Sequence, residues 1–193
     1  MSKGIYNIVI GDNDELIKNV ANLYFEKGNR ILDVTYGKGV FWKQVNQEDF
    51  NFTFDDIRTT GVDFRELPYT DNLYDHGVLD PPYSRRNLKA MEDCYATKKL
   101  TKHSEIVELY FKGLKELNRV VKPGGYILVK TQDEVCGCKQ HWTHIEIYDF
   151  ATQVLGMYGK DLIHLVNTRK PKINYKQQHS RKIVSYLWIF QVN

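Results

Sequence analysis

The run Ile31-Leu32-Asp33-Val34-Thr35 passes without a spacer into Tyr36-Gly37-Lys38-Gly39. A short apolar run of this kind reads as a buried strand, and the two glycines let the backbone turn sharply at its end. Around it, strand and helix signals alternate. Asp14 to Phe25 carries apolar residues at helical spacing, and Gly28 reads as its stop. Strands are expected at Arg30–Thr35, at Phe52–Phe54 ending in Asp55 and Asp56, at Gly61–Phe64, and at Asp75–Leu79. The spacing then predicts an amphipathic helix over Glu105–Val120, a turn at Lys122-Pro123-Gly124-Gly125 and a strand at Tyr126–Lys130. A helix over Phe150–Tyr158 and strands at Leu162–Thr168 and Val184–Val192 complete the pattern. Such alternation predicts an α/β fold around a mainly parallel sheet, with ligands at the carboxyl ends of the strands.

Composition removes several classes. The 193 residues are 42% apolar and 26% charged, a globular balance sized for one domain, expected to span 1–193. No apolar run approaches the roughly 18 residues of a membrane span. The first fifteen residues lack the apolar core of a secretory signal, so a cytoplasmic location is expected. Three cysteines make no disulfide framework. Charge is unevenly placed. Leu162 to Asn193 holds six basic residues and no acid, while the remainder carries 21 basic against 24 acidic residues. A basic stretch on a slightly acidic body suggests an anionic partner, or a solvated loop.

Two motifs carry chemistry. The glycine loop is not a dinucleotide fingerprint, because Trp42 stands where a third glycine is wanted, and no triphosphate-binding loop is present. Asp33, before the loop, stands where a ligand amine could be held. Asp55, at a strand end, is placed for ribose hydroxyls, and Asp56 competes for that role. The second motif is Asp80-Pro81-Pro82-Tyr83, directly after an apolar strand. The two prolines stiffen the segment and remove two backbone donors, leaving carbonyl acceptors beside a carboxylate. That pair suits an exocyclic amino group, and Tyr83 offers a face for a planar base.

Asp33–Gly39 followed by Asp80–Tyr83 resembles the class I S-adenosylmethionine-dependent methyltransferases, in the branch that methylates adenine N6 or cytosine N4. Val62–Tyr69 and Lys122–Lys130 are similar to that family's third-strand segment and its turn into strand five. The resemblance spans residues 14–130 and is looser beyond. It implies a Rossmann-like fold, a mainly parallel seven-stranded sheet with helices on both faces, and S-adenosyl-L-methionine as cofactor. It implies cofactor contacts at Asp33, Thr35, Tyr36, Gly37, Gly39, Asp55, Asp63 and Phe64, with Asp63 towards the adenine. Asp80, Pro81, Pro82 and Tyr83 become the catalytic set. This chain departs from the pattern at Thr35, where many such enzymes carry Phe, and at the bulky Phe41-Trp42.

The implied reaction is methyl transfer to an amino nitrogen whose hydrogens are drawn by Asp80 and the Pro81 carbonyl. A duplex substrate would need its base flipped out. Arg85, Arg86 and Lys89 are candidate phosphate contacts or ordinary surface charge. Lys170, Lys172, Lys176, Arg181 and Lys182, interleaved with Tyr175 and His179, fit a nucleic-acid-facing loop. DNA adenine N6 is the leading acceptor. An RNA base is the alternative, and a non-catalytic cofactor- or nucleic-acid-binding module is a third reading. Asp80 counts against protein glutamine methylation, whose family carries Asn there. With no room for a separate target-recognition domain, a homodimer or a protein partner is expected to help select the target.

Cys136, Cys138, His141 and His144 form a tight C-x-C-x2-H-x2-H cluster. It reads either as a tetrahedral zinc set or as a polar loop over the site. The spacing is unlike common zinc motifs, so no metal is expected.

Overall fold

Alternation of side chains along the central strands builds two cores on one sheet. The computed structural model describes residues 4–82, 102–168 and 178–193. In chain order its elements are β1 (Ile8–Ile10), α1 (Asn13–Tyr24), β2 (Arg30–Asp33), β3 (Asn51–Phe54), β4 (Tyr74–Leu79) and α2 (His103–Val120). There follow β5 (Val121–Thr131), β6 (Glu134–Cys136), β7 (Lys139–His141), α3 (Thr143–Asp149), β8 (Tyr158–Val166) and β9 (Val184–Gln191). Seven strands form the main sheet in the order β1-β8-β9-β5-β4-β2-β3, and β6 and β7 pair as a separate hairpin. Only β9 runs antiparallel to its neighbours in the main sheet.

The row Val78, Leu128 and Ile189 faces α1, where Leu16, Ile17 and Val20 are fully buried. The offset residues Leu79, Ile127, Val129 and Phe190 face Leu109, Leu114 and Leu117 of α2. Each such side chain contributes about 1.5–3 kcal/mol by leaving water. Truncating one, as in Leu117→Ala, costs about 2–5 kcal/mol: the lost burial plus the cavity left behind.

Three expectations are corrected. Gly61–Phe64 forms no strand: Glu66 N–H closes a turn onto the Asp63 carbonyl, and Phe64 turns into the core. The sheet still has seven strands because Ile8–Ile10 joins the opposite edge, parallel to β8. The helix expected at Phe150–Tyr158 begins earlier, at Thr143, and runs through a wider π-type turn over Phe150–Val154. Gly156, at φ +71°, ends that run and frees Tyr158 to start β8. The turn Lys122–Gly125 sits inside β5 as a bulge, where pairing jumps from Tyr74–Val121 to His76–Tyr126. Among the described residues, no helix is long and apolar enough to cross a membrane.

The topology fixes where a ligand can sit. The carboxyl ends of β2, β3, β4, β5 and β8 share one edge of the sheet with the start of β9.

Candidate active site

The glycine loop leaves β2 at that edge. Gly37 and Gly39 have φ of +55° and +65°, left-handed conformations that cost other residues about 1–2 kcal/mol. A Cβ at Gly39 would also strike the Tyr36 ring, which stacks on Phe54 at 4.1 Å. Asp33 shapes the loop from beneath. Its Oδ1 accepts the Thr35 N–H at 2.9 Å and the Thr35 hydroxyl at 3.3 Å, and its Oδ2 accepts the Trp42 indole N–H at 2.7 Å. Asp33 is 2% exposed. Burial pushes its pKa up to about 7, against the pull of Trp42 and Thr35, and the nearby Asp80 adds to the rise. The departures from the family pattern therefore have local roles: fully buried Trp42 donates to Asp33, and Thr35 ties the loop to the next strand.

That tie is the Asp80 N–H, which donates to Thr35 Oγ1 at 2.8 Å. Asp80 follows β4, Pro81 is buried and Pro82 is half-buried. Asp80 Oδ1 is buried and, among the described residues, has no hydrogen-bond partner. Burial raises the Asp80 pKa, and Lys130 lowers it in part. Lys130 ends the apolar stretch of β5, is 1% exposed, and follows Val129, the register partner of Leu79. It therefore stands beside Asp80 on the adjoining strand. Sequence reading passed over Lys130 as a site residue, although a lysine closing Tyr126-Ile127-Leu128-Val129 was its signal.

Beyond β3, Asp55 and Asp56 are both buried and both engaged. Asp55 Oδ2 accepts the Tyr69 hydroxyl, and its backbone bonds to Asp33 and Tyr36. Asp56 Oδ1 accepts the Arg58 N–H at 2.9 Å, while its Oδ2 would lie 3.9 Å from a Cβ added at Gly37. Asp63 is paired with the Arg65 guanidinium. Burial pushes the Asp63 carboxyl up, but the Arg65 contacts outweigh it and hold the pKa below its usual range. Phe64 is fully buried and packs with Leu79 over Gly113.

Tyr83, Arg85, Arg86, Lys89, Lys170, Lys172, Tyr175 and Lys176 lie outside the described residues. Arg181 and Lys182 lead into β9 at the same edge as Asp80. Lys182 Nζ lies 5.5 Å from the centre of the Trp142 ring, which is 51% exposed. His179 approaches the Cys138 carbonyl at 3.2 Å.

The structure disperses the Cys/His cluster. Gly137 and Cys138 form the β6–β7 turn with φ of +58° and +61°, which leaves Cys138 exposed and Cys136 on the strand. His144 Nδ1 pairs with Asp133 at 2.7 Å, and its ring stacks on Tyr186. Only His141 turns towards another imidazole, stacking on His103 at 4.0 Å.

The strand order and the glycine loop at the carboxyl edge define the class I methyltransferase fold. Solved structures agree. The N-methyltransferase NodS from Bradyrhizobium japonicum WM9, in complex with S-adenosyl-L-homocysteine, superposes with a TM-score of 0.56 at 12% identity, covering 93% of this chain and 85% of that one. TrmN from Thermus thermophilus gives 0.54 at 12% identity over 93% of this chain and 48% of its own. The cytosine-N4-specific PvuII DNA methyltransferase gives 0.53 at 15% identity over 68% and 47%. This chain thus spans about half the length of the PvuII enzyme. No family model and no curated protein sequence matches it.

Proposed function

We propose that this chain transfers a methyl group from S-adenosylmethionine to an exocyclic amino nitrogen of a nucleic-acid base, with adenine N6 in DNA as the leading acceptor. One observation carries the reading. Asp80 Oδ1 is a buried acceptor with no donor among the described residues. It stands at the ligand-binding edge of the sheet, followed by two prolines. A buried acceptor of this kind costs about 1–3 kcal/mol unless a ligand donor satisfies it.

The residues present fit the cofactor. The left-handed glycine loop offers backbone without side chains, and Asp55 and Asp56 bring carboxylates to the adjoining strand end. The Tyr36–Gly39 backbone and Asp55 or Asp56 would hold it, with Asp63 further along. Asp33 acts through the loop, since Thr35 and Trp42 occupy its oxygens. When bound, S-adenosylmethionine supplies an electrophilic methyl group on a sulfonium. Asp80 accepts an amino hydrogen of the base, the Pro81 carbonyl accepts the other, and the nitrogen is left more nucleophilic. Transfer would break the sulfonium C–S bond, releasing a neutral thioether, and would leave the methylated nitrogen with a proton to lose, which the Asp80 carboxylate is placed to take up. Lys130 works against the rise that burial imposes on the Asp80 pKa. The basic residues leading into β9 face the substrate's phosphates.

The test offers methyl-labelled S-adenosylmethionine with duplex DNA, single-stranded DNA and total RNA, with Asp80→Ala as control. Label is expected in DNA as N6-methyladenine and absent with the variant. Label in RNA alone would move the acceptor to RNA bases. Cofactor binding without transfer to any of the three would overturn the reading.

A further inference from the structure

Beside the β6–β7 hairpin, α2, β7 and α3 converge on one imidazole. His103 opens α2 and is 7% exposed. Its Nδ1 meets Glu134 Oε1 at 2.9 Å, and its Nε2 meets Glu146 Oε1 at 2.8 Å. His141 stacks on it at 4.0 Å between ring centres. His141 is the register partner of Glu134 across the hairpin, so the two side chains share a face. One ligand atom each from His103, His141 and Glu146 lies within 4.8 Å of the others.

We propose that His103, His141 and Glu146 bind one zinc-class divalent transition-metal ion, with Glu134 orienting His103 from behind. This site is separate from the methyl-transfer reading and does not rest on it.

Two imidazoles and a carboxylate are a donor set that suits zinc. Ligand bonds of about 2.0–2.1 Å in a tetrahedron put the ligand atoms about 3.3 Å apart. Small side-chain rotations close the trio to that spacing. Charge favours a divalent ion over a proton. Glu134 and Glu146 both address His103, so an imidazolium neutralises one carboxylate and a divalent ion balances both. A ligating histidine characteristically gives its second nitrogen to a carboxylate, which fixes tautomer and ring orientation. Glu134, 8% exposed, is placed to do this for His103. The trio opens onto a cleft of about 480 Å³ that Cys136, Phe111 and Lys102 also line. The fourth coordination position faces this cleft and is filled by water. The ion would clamp the start of α2 to the hairpin and to α3.

The test titrates Zn²⁺ alone into chelator-stripped full-length protein, reading stoichiometry by calorimetry and the unfolding midpoint in parallel. One equivalent is expected to bind and to raise the midpoint. Glu146→Gln and His141→Ala, both away from the packed core, should weaken binding at least 100-fold while leaving the metal-free midpoint in place. Glu134→Gln should weaken it about 10- to 100-fold, as removal of an orienting carboxylate does. Cys136→Ser and Cys138→Ser should leave affinity within threefold, and Co²⁺ should bind without thiolate charge-transfer bands. Sub-stoichiometric binding would overturn the site. So would affinity that survives Glu146→Gln and His141→Ala together, or that disappears with either cysteine.

Discussion

Asp75 and Asp80 belong to the two ends of one strand, and the protein treats them in opposite ways. At the start of β4, Asp75 accepts the Arg30 N–H at 2.7 Å and the Lys122 ammonium at 2.6 Å. Burial pushes its pKa up, but Arg30 and Lys122 outweigh it and hold the carboxyl below its ordinary value. His76 beside it is stacked between Phe25 and Tyr126, and both ring nitrogens are used. Nε2 meets Asn29 Oδ1, which makes it the donor, and Nδ1 accepts the Tyr126 N–H. Past the far end of β4, Asp80 has a raised pKa and a buried oxygen with no donor among the described residues. One edge of the sheet satisfies its polar groups, which serves stability. The other leaves an acceptor open, which costs stability and serves a ligand.

The largest expected effect that sharpens this contrast is in pH dependence. Asp33 keeps its proton in the folded state up to about 7, whereas the unfolded chain releases it near 3.8. Its contribution is therefore favourable at low pH and is lost as pH rises through that window. His76 is held neutral down to about 4, whereas the unfolded chain takes up a proton near 6.5. Its contribution is lost as pH falls through that window. The two slopes oppose each other between pH 4 and 6.5, and each reaches at most about 1.4 kcal/mol per pH unit. Asp33→Asn should unmask stability that rises with pH, and His76→Gln should unmask stability that falls with it. Denaturant midpoints across pH 4–8 read both.

Trp42→Phe keeps most of the packing but removes the indole donor to Asp33. It should cost about 1–3 kcal/mol. The loss should be greater at pH 8 than at pH 5, because the ionised carboxylate needs the donor more. Thr35→Val cuts the tie between the loop and Asp80 N–H. It should cost about 1 kcal/mol and slow methyl transfer several-fold. The smallest effect is expected at the other edge. Asp75→Asn keeps an acceptor for Arg30 and loses only a part-exposed ion pair, so it should cost less than about 1 kcal/mol and leave transfer rates unchanged. Equilibrium unfolding and initial-rate assays check all three.

What was legible in the sequence followed burial. The apolar stretches of β2, β4 and β5 (Ile31–Leu32, Val78–Leu79 and Tyr126–Val129) lie in the middle of the sheet and are followed by polar or glycine signals, so strand, edge and loop could be read together. Elements built from polar contacts were not legible. β1 is three residues long and exposes Ile8 and Ile10, so its place depends on β8 rather than on its own pattern. Gly61–Phe64 has a strand-like composition, yet Asp63 pairs with Arg65 two residues on, and the turn this makes replaces the strand. The β6–β7 hairpin reads Glu-Val-Cys and Lys-Gln-His, with almost no apolar alternation. Its residues, with His144, therefore read either as a linear zinc set or as a polar loop over the site. The fold separates them and brings His141 instead to His103, which lies far away in sequence. In the site, Asp33, Thr35 and Asp80 were visible as motif residues. Lys130 and Trp42 act on them through space, and periodicity carries no record of that.

The central claim is that the open acceptor at Asp80 is held at a cost in stability because the reaction uses it. The direct measurement takes Asp80→Asn and follows the unfolding midpoint and methyl transfer on one preparation. The account predicts a midpoint equal to or above that of the parent chain, with transfer reduced on the order of 100- to 1,000-fold, as when a positioned catalytic hydrogen-bonding group is removed. A variant that loses stability while keeping full transfer would contradict it, because Asp80 would then be a structural carboxylate like Asp75.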